Sequence, residues 1–121
     1  MSLNIEQYRN YCMSKKAVTE HFPFDNDTLV FKVCNKMFAL ASLKKWESGE
    51  GFMNLKCNPE YAIELRETHE SITPAWHMSK KLWNSVHFST GELDTKFIFD
   101  LIDHSYDEVV KTLPKKLRKT L

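Results

Sequence analysis

The sequence predicts an α+β domain, and three observations carry that reading. Two runs rich in β-branched and aromatic residues, Thr28–Val33 and Met37–Ser42, flank a three-residue turn. Phe97, Ile98, Leu101 and Ile102 form an apolar stripe at helical spacing. The chain has 121 residues, 42% hydrophobic and 27% charged, which is the composition of one globular domain. Area scaling gives such a chain a folded surface of roughly 6,800 Å², about a third of the unfolded value, so a core forms without disulfides or metal.

The elements follow in order. Asn4 and Gln7 have the spacing of a capping box, and Ile5, Tyr8, Tyr11 and Cys12 recur helically, so residues 4–14 are predicted as a helix. Phe22-Pro23-Phe24 is an extended entry, since proline removes a ladder donor. The runs at 28–33 and 37–42 are strands, joined through Cys34, Asn35 and Lys36; asparagine accepts the positive φ such a turn needs. Residues 47–51 are predicted as a loop. Phe52–Cys57 alternates as a half-buried strand, the third of an antiparallel meander.

Asn58-Pro59-Glu60 starts a helix, with cap, proline and acid in the expected order. Tyr61, Ala62 and Leu65 form its inner face; Glu60, Glu64 and Glu67 face water. Ser85–Ser89 is predicted as a strand and Gly91 as a turn. Asp94 or Thr95 caps the helix carrying the 97–102 stripe. Ser105-Tyr106-Asp107-Glu108 is a second capping-box pattern, which predicts a break near His104 and a short helix ending at Pro114. Residues 1–114 are expected to form the domain and 115–121 a mobile basic tail.

Charge is distributed unevenly. Residues 1–110 hold 12 Lys/Arg against 16 Asp/Glu, a balance of −4; residues 111–121 add Lys111, Lys115, Lys116, Arg118 and Lys119 and no acid, a balance of +5. The three cysteines, Cys12, Cys34 and Cys57, are far apart and form no CxxC, and the N-terminus carries no apolar signal segment. Reduced thiols in a cytoplasmic protein are expected, mostly as small buried hydrophobes. No apolar run reaches the ~20 residues of a membrane span.

No local catalytic constellation stands out. The histidines, at 21, 69, 77, 87 and 104, have no i,i+4 metal spacing, and three glycines, at 49, 51 and 91, make no phosphate loop. Neither an enzyme nor a cofactor or metal is expected. The segment 74–84 is different: it interleaves Trp76, Met78 and Trp83 with His77, Lys80 and Lys81. Indole rings stack on flat partners and ammonium groups meet phosphate or carboxylate. The competing expectation is that Trp76, Met78 and Trp83 seal the core while the lysines stand in solvent.

Four segments, Lys36–Leu40, Asn54–Cys57 with Pro59-Glu60, Pro74–Lys80 through Trp83-Asn84, and Leu101–Tyr106, resemble in order the MmcQ/YjbR family of small bacterial proteins. The resemblance implies a curved antiparallel sheet packed against helices, and the family's label of predicted DNA-binding protein. It implies no catalytic residue and no cofactor. By position it assigns interest to His77, Lys80, Trp83 and Asn84, and to Lys56. The chain departs from the family pattern at Ala75 and Asn35, where glycine is usual, at Ser79, where asparagine is usual, and at Leu82, where histidine is common.

Two functional expectations follow. In the first, Lys56, Lys80 and Lys81 contact DNA phosphates, Trp76 or Trp83 stacks, His77 and Asn84 line the same loop, and the basic tail adds sequence-independent attraction. In the second, the same loop docks an acidic or aromatic protein or ligand without nucleic acid. Oligomeric state is left open by the sequence.

Overall fold

Six antiparallel strands form one sheet in the order β1-β2-β3-β4-β6-β5 in the computed structural model, which describes residues 3–75 and 78–121. Chain order is α1 (Ile5–Met13), β1 (Val18–His21), β2 (Thr28–Val33), β3 (Lys36–Ser42), α2 (Leu43–Glu47), β4 (Phe52–Lys56), α3 (Pro59–Thr68), β5 (Ile72–Pro74), β6 (Trp83–His87), α4 (Thr95–Val110) and α5 (Lys115–Arg118). The accessible surface is 7173 Å², close to the value that scaling gives for this mass. No helix among the described residues is long and apolar enough to cross a membrane.

Several sequence signals act as read. The Asn4 side chain accepts the Gln7 N–H at 2.8 Å, and the Asn4 N–H donates to the Gln7 side chain at 3.0 Å. Cys34 and Asn35 both have positive φ, 47° and 68°, as a two-residue turn matching the strand twist requires. Asn58 caps α3 by accepting from the Glu60 and Tyr61 N–H groups.

The strands alternate between two faces. Leu29, Phe31, Val33, Ala39, Ala41, Met53, Leu55, Ile72 and Val86 point into the core shared with α1 and α4. Thr28, Val30, Leu40, Phe52, Asn54, Lys56, Trp83, Ser85, His87 and Thr73 therefore belong to the opposite, open face.

Two expectations need correction, and three elements were not anticipated. α4 runs unbroken through His104, and Ser105, expected to cap a new helix, is buried in its middle; its hydroxyl serves the sheet instead. β1 and β5 were not anticipated: one has four residues, and the other has three and ends in a proline that sits at the sheet edge, where a missing donor is tolerated. α2 was missed too; Ser42 caps it by accepting the Lys45 N–H at 3.2 Å, and its Trp46 ring packs on Tyr8 and Phe88. β6 spans 83–87 rather than 85–89, which turns Trp83 and Asn84 from loop residues into strand residues. In the basic tail α5 makes one turn after Pro114, Leu121 packs on the core's edge, and the Lys16 ammonium lies 3.5 Å from the Leu121 carbonyl.

Candidate functional site

The strand registers decide where the basic residues go. Val18 pairs with Val33, Ala39 with Leu55, and Lys56 with Trp83, so the α1–β1 link, the β2–β3 turn, the end of β4 and the start of β6 share one end of the sheet. Lys16, Lys36, Lys56, Lys80 and Lys81 all lie there. The tail joins them: the Lys36 ammonium lies 3.5 Å from the Thr112 hydroxyl just before it, and the Lys16 ammonium 3.5 Å from the Leu121 carbonyl at its end. α4 points its C-terminus at this end, and the negative end of its dipole favours cations. Two carboxylates of α4 are occupied by lysines: Asp103 by Lys15 at 2.6 Å and Glu108 by Lys111 at 2.5 Å.

The other end is acidic. Asp25 and Asp27 precede β2, Glu47 and Glu50 precede β4, and Glu92 and Asp94 follow β6. Backbone N–H groups of Thr28 and Asp27 hold the Asp25 carboxyl below the usual carboxylate range, and the Ser42 hydroxyl and Lys44 N–H do the same for Asp27. Lys45 at this end pairs with Glu50 at 3.7 Å. The loops that join the strands are thus polarised, lysines prevailing at one end and carboxylates at the other, while Glu60 at the start of α3 and Asp107 and Glu108 in the last turn of α4 also lie at the lysine end.

The predicted site residues divide. Lys56 is half-buried on the open face at the basic end; Lys80 and Lys81 are exposed in the turn before β6. Trp83 is 8% exposed and Asn84 2%. Both side chains are buried, as the expectation that Trp83 seals the core has it. Trp76 and His77 lie outside the described residues. Asn84 faces the helices, where its Oδ1 accepts from Arg66 Nε at 2.6 Å. The same guanidinium donates to the carbonyls of Lys80 and Trp83. Arg66, which the sequence reading passed over, therefore fastens α3 to the lysine-bearing turn. Its one visible signal is its place beside Ala62 and Leu65 on the inner face of α3.

A second set of residues was also missed. Phe52, Asn54, Thr73, Ser85 and His87, with Lys80 at the rim, line a recess of about 760 Å³ on the open face. The Phe52 and His87 rings stand 5.0 Å apart, tilted by 36°. The Ser85 hydroxyl donates to Asn54 Oδ1 at 2.5 Å, and Thr73 Oγ1 lies 3.4 Å from His87 Nε2. Burial pushes the His87 imidazole below its ordinary pKa and favours the neutral ring. Strand parity alone places these side chains together. Among the described residues no three His, Cys, Asp or Glu side chains gather as metal ligands.

The YjbR family model matches residues 13–108, from the end of α1 through most of α4. The chain belongs to the YjbR family. It is 32% identical to the uncharacterized protein YjbR of Escherichia coli K12 over 119 residues, 98% of each chain. The uncharacterized protein YbdF of Escherichia coli O157:H7 is 36% identical over 98 residues, 81% of this chain and 77% of that one. Among solved structures, the crystal structure of Deinococcus radiodurans protein DR2400, described by the domain DUF419, superposes with a TM-score of 0.87 at 33% identity, covering 97% of this chain and 86% of that one. A Pseudomonas syringae protein follows with a TM-score of 0.73 at 28% identity, covering 88% and 98%. The YjbR fold, an antiparallel sheet carrying helices on one face, is thus shared over most of the chain.

Proposed function

We propose that this YjbR-family protein binds nucleic acid through the phosphate backbone, at the basic end of its sheet, and that its role is recognition rather than catalysis. The observation that carries this reading is the gathering of Lys16, Lys36, Lys56, Lys80 and Lys81 beside the Lys115–Lys119 tail, with the carboxylates of the loops at the far end. A protein with a formal net charge of only +1 attracts a polyanion when its cations are clustered this way. The separation also orients the partner, since the acidic end repels phosphate.

Fluorescence anisotropy with a labelled oligonucleotide, repeated across salt concentrations, tests the proposal. Binding should weaken steeply with salt; engagement of four phosphates of a single strand gives a log–log slope of about −3. Affinity that is flat across salt, or no binding at low salt, overturns it.

An interaction module for an acidic or aromatic protein is the second reading. Phe24, 64% exposed beside a recess lined by Met37, Leu40 and Met78, favours it. Capture of a protein from extract that survives nuclease treatment would select this reading over the first.

A further inference from the structure

We infer that the recess on the open sheet face receives an unpaired nucleobase, so that the protein prefers single strands to duplexes; the inference rests on the nucleic-acid reading above. Three observations converge on it.

The recess has an aromatic wall. Phe52 and His87 are cross-strand partners whose rings stand 5.0 Å apart at a tilt of 36°, and neither side chain is fully buried. Every base has a π-face, so such a wall accepts bases with little regard to sequence.

The floor is polar. Asn54 and Ser85 hydrogen-bond to each other, yet a carboxamide and a hydroxyl retain lone pairs beyond that bond. The Asn54 Nδ2 donates to the weak acceptor Met78 Sδ, at 3.7 Å. The remaining lone pairs suit a donor on the edge of a base.

The recess also opens toward the cations. Lys80 lines it, and Lys56 stands on the same face two residues beyond Asn54, at the basic end. A strand with one base in the recess has its next phosphates at that end. A volume of about 760 Å³ lies within the range of nucleotide-sized sites. A duplex keeps its bases stacked and paired, so it fills the recess only by flipping one out, at a cost the single strand avoids.

The test compares three labelled oligonucleotides at one low salt concentration: a thymidine dodecamer, a dodecamer of the same backbone with abasic sugars, and a duplex. The thymidine strand should bind about tenfold or more tighter than the abasic strand and tighter than the duplex. Phe52→Leu should lower thymidine-strand affinity to the abasic level and leave abasic binding and its salt slope unchanged. Should Phe52→Leu lower the melting temperature, Thr73→Phe, which fills the recess from the edge strand, serves instead with the same expectation. Equal binding of thymidine and abasic strands, or a duplex that binds as well as the single strand, overturns this inference and leaves phosphate binding intact. No binding by any of the three overturns phosphate binding itself.

Discussion

The Ser105 hydroxyl donates to the Phe38 carbonyl oxygen at 2.5 Å and accepts the Lys56 N–H at 2.8 Å. Regular pairing between β3 and β4 covers only Ala39 with Leu55 and Leu40 with Asn54. One side chain of α4 therefore completes the ladder where the two strands part, fixing Lys56 at the basic end. Ser105→Ala leaves two buried backbone groups without partners, at a cost of about 2–4 kcal/mol. Urea denaturation should show a lower midpoint with an unchanged slope. An unchanged midpoint would mean that neither bond contributes to stability.

That serine also shows where sequence reading reached its limit. Ser105 and Glu108 have capping-box spacing, a local signal, yet α4 continues because the hydroxyl has partners on β3 and β4, far away in sequence. The long elements were legible: the 28–42 hairpin with Asn35 in its turn, the Asn58-Pro59 helix start and the 97–102 stripe. β1, α2 and β5 have three to five residues each, too few for a period to show, and their order comes from tertiary pairing. Lys16, Lys36, Lys56 and Lys80 are scattered along the chain, and only the antiparallel registers bring them to one end. Trp83 was ambiguous by composition; pairing with Lys56 made it a strand residue and buried it.

Tyr8 offers a test of a different kind. Its hydroxyl is buried beside the Cys12 thiol, a weak partner at best, with no nitrogen or oxygen partner among the described residues, and burial raises its pKa well above the ordinary tyrosine value. The ring itself packs against Phe31 and Trp46. Tyr8→Phe keeps the ring contacts and removes a polar atom whose burial costs free energy. The variant should be more stable by about 1 kcal/mol, read as a rise in thermal midpoint. A fall in midpoint would show that the hydroxyl has a stabilising partner.

The three thiols should separate by reactivity. Cys12 is buried beside Tyr8, and burial pushes its thiol far up; burial, with the Glu108 carboxylate nearby, pushes Cys57 up to about 12. Cys34 sits partly exposed in the β2–β3 turn. A thiol reagent at pH 8 should modify one cysteine per chain rapidly in the folded protein and all three after unfolding. Rapid modification of two or three in the folded state would contradict the burial of Cys12 and Cys57.

His87 gives the acid limb a definite sign. Its folded pKa lies below the ordinary value of about 6.5, so between the two values the unfolded chain binds more protons. The stability due to this group is complete above about pH 6.5 and is lost as pH falls toward the folded pKa. His87→Phe removes that contribution to the slope while keeping a ring beside Phe52. Denaturation midpoints between pH 7.5 and 5.5 should fall more steeply for the wild type than for the variant. Parallel slopes would place His87 in water rather than in the recess.

The charge polarity of the sheet makes the sharpest claim, because position should outweigh number. Lys80→Gln with Lys81→Gln removes two cations at the basic end; Lys44→Gln with Lys45→Gln removes two at the acidic end, where the Lys45 ammonium already pairs with Glu50. Lys81, Lys44 and Lys45 lie on the surface, where substitutions alter stability little. If Lys80 and Lys81 each meet one phosphate of a single strand, their loss should reduce the salt slope by about 1.4, and affinity should fall on every sequence alike. The Lys44 and Lys45 pair should leave both slope and affinity unchanged. Equal losses from the two double variants would mean that net charge alone governs binding, and the polarity of the sheet would then have no part in it.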